Sequence, residues 1–153
     1  MKNNSNENSV ILGQIGEKIV SNLLCRLGHV VQESIDPFDS QKDMTSDDKL
    51  IEVKTQQPFV LKNSFSFKLN QLRKCRNVDE LYFVSIPPLM NKKYKWGGWI
   101  FKVNPKEFVT TTYTTKHGLE MILIKIEQES VQPFYKMTNE ECNELCKYAQ
   151  SSY

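Results

Sequence analysis

The sequence contains no apolar run approaching the roughly 20 residues needed to cross a bilayer. Its opening stretch, MKNNSNENS, has none of the apolar core of a secretory signal. These absences predict a cytoplasmic protein with no membrane partner. Histidine is scarce, at 2 in 153 residues, and the 4 cysteines form no C-x-x-C pair. The close knuckles of structural zinc sites are therefore missing. Cys142 and Cys146 share a helix face and with His29 or His117 could hold zinc only in principle, so the cysteines read as free thiols of a reducing compartment. A large excess of one charge is absent too. Lys+Arg 20 against Asp+Glu 18 leaves +2, which neither demands nor forbids a nucleic-acid partner. What remains is an ordinary globular composition, 39% hydrophobic and 25% charged. Length fits one domain over residues 1–153, with residues 1–8 as a flexible tail.

Apolar periodicity predicts a helix from Ser9 to Leu27, capped by Ser9 and stopped at Gly28. A β-branched run, His29 to Ile35, reads as a strand, and Asp36 to Lys42 as a loop. A short strand near Asp43 to Thr45 and a strong one from Leu50 to Thr55 flank a polar turn over Ser46 to Lys49, the pattern of a hairpin. Lys68 to Arg76 reads as a short helix, Glu80 to Ile86 as a buried strand, and Trp99 to Val103 as the next strand. Asn104-Pro105 resembles a helix cap, and Leu119 to Ile126 a further strand. Thr138 and Glu141 make a capping box that opens a last helix reaching about Ala149. The order predicts an α/β fold, one mixed sheet flanked by helices.

The chemistry concentrates in DMTSDDKLIEVKTQ, residues 43–56. Strand alternation puts Glu52 and Lys54 on one face and Ile51, Val53 and Thr55 on the other. Burying a carboxylate and an amine in an apolar strand is costly without partners. Spacing alone means little, since an acid-x-Lys triplet should arise about twice by chance in a chain of this composition. Asp47-x-Lys49 falls in a polar turn. Glu52-x-Lys54 falls in an apolar strand behind an acid-bearing hairpin, and that context distinguishes it.

With GEKIVSNLLCRLGHVV carrying Glu17, then Asp43, LIEVKTQ, FKLNQLRKC and ELYFVSI, residues 13–86 resemble the PD-(D/E)xK, or restriction-endonuclease-like, nucleases. The resemblance implies an αβββαβ core with added C-terminal strands and a helix. It also implies a Mg²⁺-dependent endodeoxyribonuclease, with Mn²⁺ able to substitute. Asp43, Glu52, Lys54, Glu17 and Gln56 become catalytic candidates, and Asp43, Glu52, Glu17 and the Val53 carbonyl become metal ligands. Lys42 stands where the namesake Pro would be, and Asp39, Asp47 and Asp48 are nearby alternatives to Asp43. A solvated helix carboxylate is the other reading of Glu17, and an ordinary polar residue that of Gln56 and of Gln71.

Such chemistry has a clear physical basis. A divalent ion neutralises phosphate charge and acidifies a bound water; Mg²⁺ prefers a few carboxylate oxygens completed by water and phosphate.

Residues 91–106, NKKYKWGGWIFKVNPK, carry 5 lysines and no acid. Lys92, Lys93 and Lys95 suit phosphate contact, and Tyr94 and Trp96 suit base stacking, so this loop and Gln71 are the expected nucleic-acid contacts. The alternative is a solvated hairpin tip with Trp99 in the core. Arg73, Lys74 and Arg76 add positive charge near Gln71. Symmetric cutting of two strands would need a homodimer or higher symmetric oligomer. The competing function is a nucleic-acid-binding or assembly module that keeps the fold without cleavage.

Overall fold

The computed structural model describes residues 4–34, 43–91 and 93–149. Helix α1 spans Asn4–Arg26. It begins before the expected Ser9, so part of the predicted tail is helical. Strands β1 (Val31–Glu33), β2 (Met44–Ser46) and β3 (Lys49–Gln56) follow, then β4 (Ser64–Lys68). A 3₁₀ turn over Leu69–Gln71 leads into helix α2 (Leu72–Asn77). Strands β5 (Glu80–Ser85), β6 (Trp99–Val103), β7 (Thr110–Thr114), β8 (Glu120–Lys125) and β9 (Val131–Lys136) precede helix α3 (Asn139–Cys146).

Two sheets form, one of six strands in the order β1-β2-β3-β5-β6-β9 and one of three in the order β4-β8-β7. In the larger sheet β3 and β5 run parallel while the other pairs are antiparallel. The fold is thus mixed α/β, a mixed sheet flanked by helices, with a second small sheet that the sequence did not announce. Among the described residues no helix is long and apolar enough to cross a membrane.

Alternation along the strands divides the core in two. Ile51 and Val53 of β3, with Tyr82 and Val84 of β5, pack beneath Ile19, Val20, Leu23 and Leu24 of α1 and Leu145 of α3. On the other face Leu81, Phe83 and Phe101 meet Phe65 and Phe67 of the small sheet and Cys75 of α2. The Phe65 ring stacks on Phe83 at 4.5 Å between centroids. Burying these faces is the main force holding the layers together.

Three strands were illegible or misread for identifiable reasons. The β4 segment includes Lys68, which the sequence assigned to a helix; its Phe65 and Phe67 alternate as a strand against β8. The β7 run, TTTYT, is almost wholly exposed and offers no apolar pattern. The β9 strand carries Pro133, tolerated because it lies in an edge strand of the larger sheet. Asn104-Pro105 opens only a turn, in which Asn104 Oδ1 accepts a hydrogen bond from the Lys106 N–H. The capping box of α3 forms as expected, with the Thr138 hydroxyl accepting from Glu141 N–H and Glu141 Oε1 accepting from Thr138 N–H.

Candidate active site

The β2–β3 hairpin fixes the register of the site. Ser46 pairs with Lys49, and the two residues between them, Asp47 and Asp48, both adopt positive φ (52° and 68°). That is the turn whose twist matches a two-residue hairpin, and Asp is among the residues that tolerate it. Asp47 is spent locally, accepting from Val30 N–H at 2.8 Å and bonded to His29 Nδ1 at 2.6 Å. Those partners hold its carboxyl below the ordinary range. Asp47 and Asp48 thus build the turn, and Asp39 lies outside the described residues.

Asp43 precedes Met44, which pairs with Ile51. One step further along the ladder Asp43 falls opposite Glu52, and its N–H donates to the Ile51 carbonyl at 2.9 Å. Asp43 Oδ2 in turn accepts from Val53 N–H at 2.8 Å. The N–H and C=O of one strand residue point to the same edge, so the Val53 carbonyl lies on the Asp43 side of β3.

Glu52 is the most deeply buried charged group described, with a relative exposure of 2%. Its Oε2 lies 3.1 Å from Lys54 Nζ, and its Oε1 lies 3.2 Å from Lys74 Nζ. Lys54 Nζ also donates to Gln71 Oε1 at 3.0 Å. Lys74 Nζ reaches Asp43 Oδ1 at 3.9 Å as well. Gln71 and Lys74, three positions apart, lie on one side of the turn that enters α2. They meet Lys54 and Glu52, two positions apart on one face of β3.

The electrostatics follow from burial. Desolvation, then the negative charge of Glu52, pushes the Asp43 carboxyl up to about 7, with Glu17 adding and the Val53 N–H opposing. For Glu17, burial and then the charges of Glu52 and Glu33 raise the carboxyl above its ordinary range, while Lys74 opposes. Burial pulls Lys74 down, but Glu52 and Asp43 outweigh it and keep the ammonium above its usual range.

Glu17 comes from α1, on the opposite side of β3. That helix sits close because residue 16 is glycine: a β-carbon there would lie 2.9 Å from Thr55 Cβ, nearer than real contacts allow. Glycine costs the helix about 1 kcal/mol relative to alanine, and here it permits the approach.

Gln56 is occupied elsewhere. Its amide donates to the Ser66 carbonyl at 2.6 Å and accepts from Ser66 N–H at 2.7 Å, clamping β4 to β3. The loop expected to contact nucleic acid is also internally engaged. Tyr94 Oη donates to Asn63 Oδ1, and Trp96 Nε1 donates to Glu127 Oε1 at 3.1 Å. Lys95 pairs with Glu127 at 2.9 Å, and both aromatic rings pack against the second core. Lys93 is exposed, and Lys92 lies outside the described residues. The residue that sequence reasoning missed as part of the site is Lys74, noted only as nearby positive charge. Its signal was the three-residue spacing from Gln71 behind the E-x-K strand.

Among the described residues no three His, Cys, Asp or Glu side chains converge on one point. The oxygen set is two carboxylates, Asp43 and Glu52, with the Val53 carbonyl on the same edge. Glu52 Oε1 is buried without a directed hydrogen bond, its contact with Lys74 being ionic. Mg²⁺ typically takes one or two carboxylates and fills its octahedron with water and phosphate, so this set fits it. No protein-family model, curated protein or solved structure matches the chain.

Proposed function

We propose that the protein is a Mg²⁺-dependent endodeoxyribonuclease built on a restriction-endonuclease-like core. One observation carries the reading: two carboxylates, the half-buried Asp43 and the buried Glu52, face each other across paired strands, with the Lys54 ammonium two residues further along the same face. Like charges held this way raise each other's proton affinity unless a cation joins them.

Asp43, Glu52 and the Val53 carbonyl would hold the ion, with Glu17 reaching the site from α1 directly or through water. When bound, a divalent ion supplies Lewis acidity toward a phosphate oxygen and a more acidic water. Lys54, fixed by Glu52 and Gln71, presents its ammonium where charge grows on the phosphate during attack. Asp43 takes its ligand role as the carboxylate, so its raised proton affinity opposes metal capture at low pH. Two such domains related by symmetry would serve the two strands of a duplex.

A non-catalytic nucleic-acid-binding module is the second reading, favoured by the two lysines that already neutralise Glu52. Cleavage separates them. Supercoiled, single-stranded, branched and RNA substrates are incubated with purified protein and Mg²⁺ or Mn²⁺. We expect metal-dependent cutting of DNA, and Glu52→Gln should lower it by at least about a hundredfold, the scale of a lost electrostatic contributor. Undiminished cutting by Glu52→Gln would sink this site. DNA binding without cutting by the wild type would favour the second reading.

A further inference from the structure

We infer that Lys74 is an internal counter-ion of the Asp43–Glu52 pair and that it competes with the divalent ion for that position. The inference rests on the metal reading above and concerns how the site is regulated. Both lysines of the site touch Glu52, but they are held differently. Lys54 has two close contacts, Glu52 Oε2 at 3.1 Å and Gln71 Oε1 at 3.0 Å, which fix it beside the pair. Lys74 straddles the pair, 3.2 Å from Glu52 Oε1 and 3.9 Å from Asp43 Oδ1. A cation shared by those two carboxylates belongs between them, and the Lys74 ammonium already leans on both.

Its hold on the pair is a contact between charges, 3.2 Å from Glu52 Oε1. The lysine also has a way out. Its side chain is 18% exposed, against 2% for Glu52, and it ends a flexible four-carbon stem. An ammonium and a divalent ion a few ångströms apart in a partly desolvated site repel strongly. Metal entry therefore displaces Lys74, and the work of displacing it lowers metal affinity. Without the ion, Lys74 offsets the repulsion between the buried Glu52 and the half-buried Asp43. With the ion, its charge stays near the phosphate that the ion attracts. Lys74 is accordingly a positioning residue that keeps the metal-free site folded and makes metal capture reversible.

The test is direct Mn²⁺ binding to the full chain without DNA, read from the paramagnetic resonance of free Mn²⁺. Wild type is compared with Lys74→Met, Lys74→Gln and Glu52→Gln, and thermal melting reports whether each variant is folded. Lys74→Gln keeps a polar group of similar reach should the methionine variant fail to fold. We expect both Lys74 variants to bind Mn²⁺ about tenfold tighter or more, as loss of a nearby like charge requires, and to melt lower without metal. Unchanged or weaker Mn²⁺ binding in the folded Lys74 variants, with Glu52→Gln losing it, would overturn the competition and leave the metal site standing. Absence of Glu52-dependent Mn²⁺ binding in the wild type would overturn both.

Discussion

The Asp43–Glu52–Lys54 cluster and the Asn91–Trp99 loop were both marked by charge in the sequence, yet the folded chain uses them differently. In the cluster the charged groups are sunk into a strand face and a short helix, and they aim at one another. In the loop Lys93 and Lys95 are exposed, the half-buried Tyr94 and Trp96 pack on the second core, and the ties are piecemeal, Lys95 and Trp96 on Glu127 and Tyr94 on Asn63. The cost of burial explains why the first signal is the stronger one. A solvated lysine is cheap anywhere on a surface, whereas a carboxylate that is 2% exposed must be compensated by the rest of the fold. Charge in an apolar strand is therefore informative in a way that charge in a polar loop is not.

The sharpest way to break this contrast is Lys54→Met. If the cluster serves a reaction, cleavage should fall by orders of magnitude while Mg²⁺ still raises the melting temperature by binding the native state. A variant that melts lower but cleaves at the wild-type rate would make the cluster a structural salt bridge. Single-turnover rates beside melting curves with and without Mg²⁺ decide the matter.

A second, smaller effect concerns pH. Asp43 is raised from the ordinary 3.8 to about 7, so between those values the native state holds a proton that the unfolded chain releases. The group's stabilising contribution is complete below about 4 and is lost as pH climbs through about 7, so metal-free stability should decline over that window. Mg²⁺ binds the deprotonated pair, so its stabilising effect should grow over the same interval. Asp43→Asn should flatten both trends. Melting temperatures from pH 4 to 8, with and without Mg²⁺, check this, and a wild-type profile matching that of Asp43→Asn would contradict it.

The smallest effect belongs to the loop. Replacing Lys93 and Lys95 by Ala should reduce the slope of log K against log salt for DNA binding by no more than about 2, the most that two lost phosphate contacts allow. Trp96→Ala should act chiefly on stability, since its ring packs edge-on against Phe101 at 5.5 Å. An undiminished melting temperature for Trp96→Ala, together with a large loss of DNA affinity, would restore the loop as a stacking platform.

Much of this arrangement was written in short stretches of chain. The apolar stripe of α1, the Asp47-Asp48 hairpin turn, the same-face placement of Glu52 and Lys54, and the Thr138–Glu141 box each depend on a few adjacent residues. Periodicity, turn chemistry and capping act over that range, so the sequence determined them by itself. Even the choice of Asp43 was nearly local, because a two-residue turn sets which acid faces Glu52. Tertiary structure alone decided the rest. Lys74 reads as one more surface lysine until α2 is laid across β3; Gln56 reads as a site residue until β4 arrives to take its amide. The exposed β7 and the proline-bearing β9 become strands only through the neighbours that pair with them. The reason is the same in each case. A side chain's options are fixed by its type and local backbone, but the partner it meets is set by how distant segments bury their apolar faces.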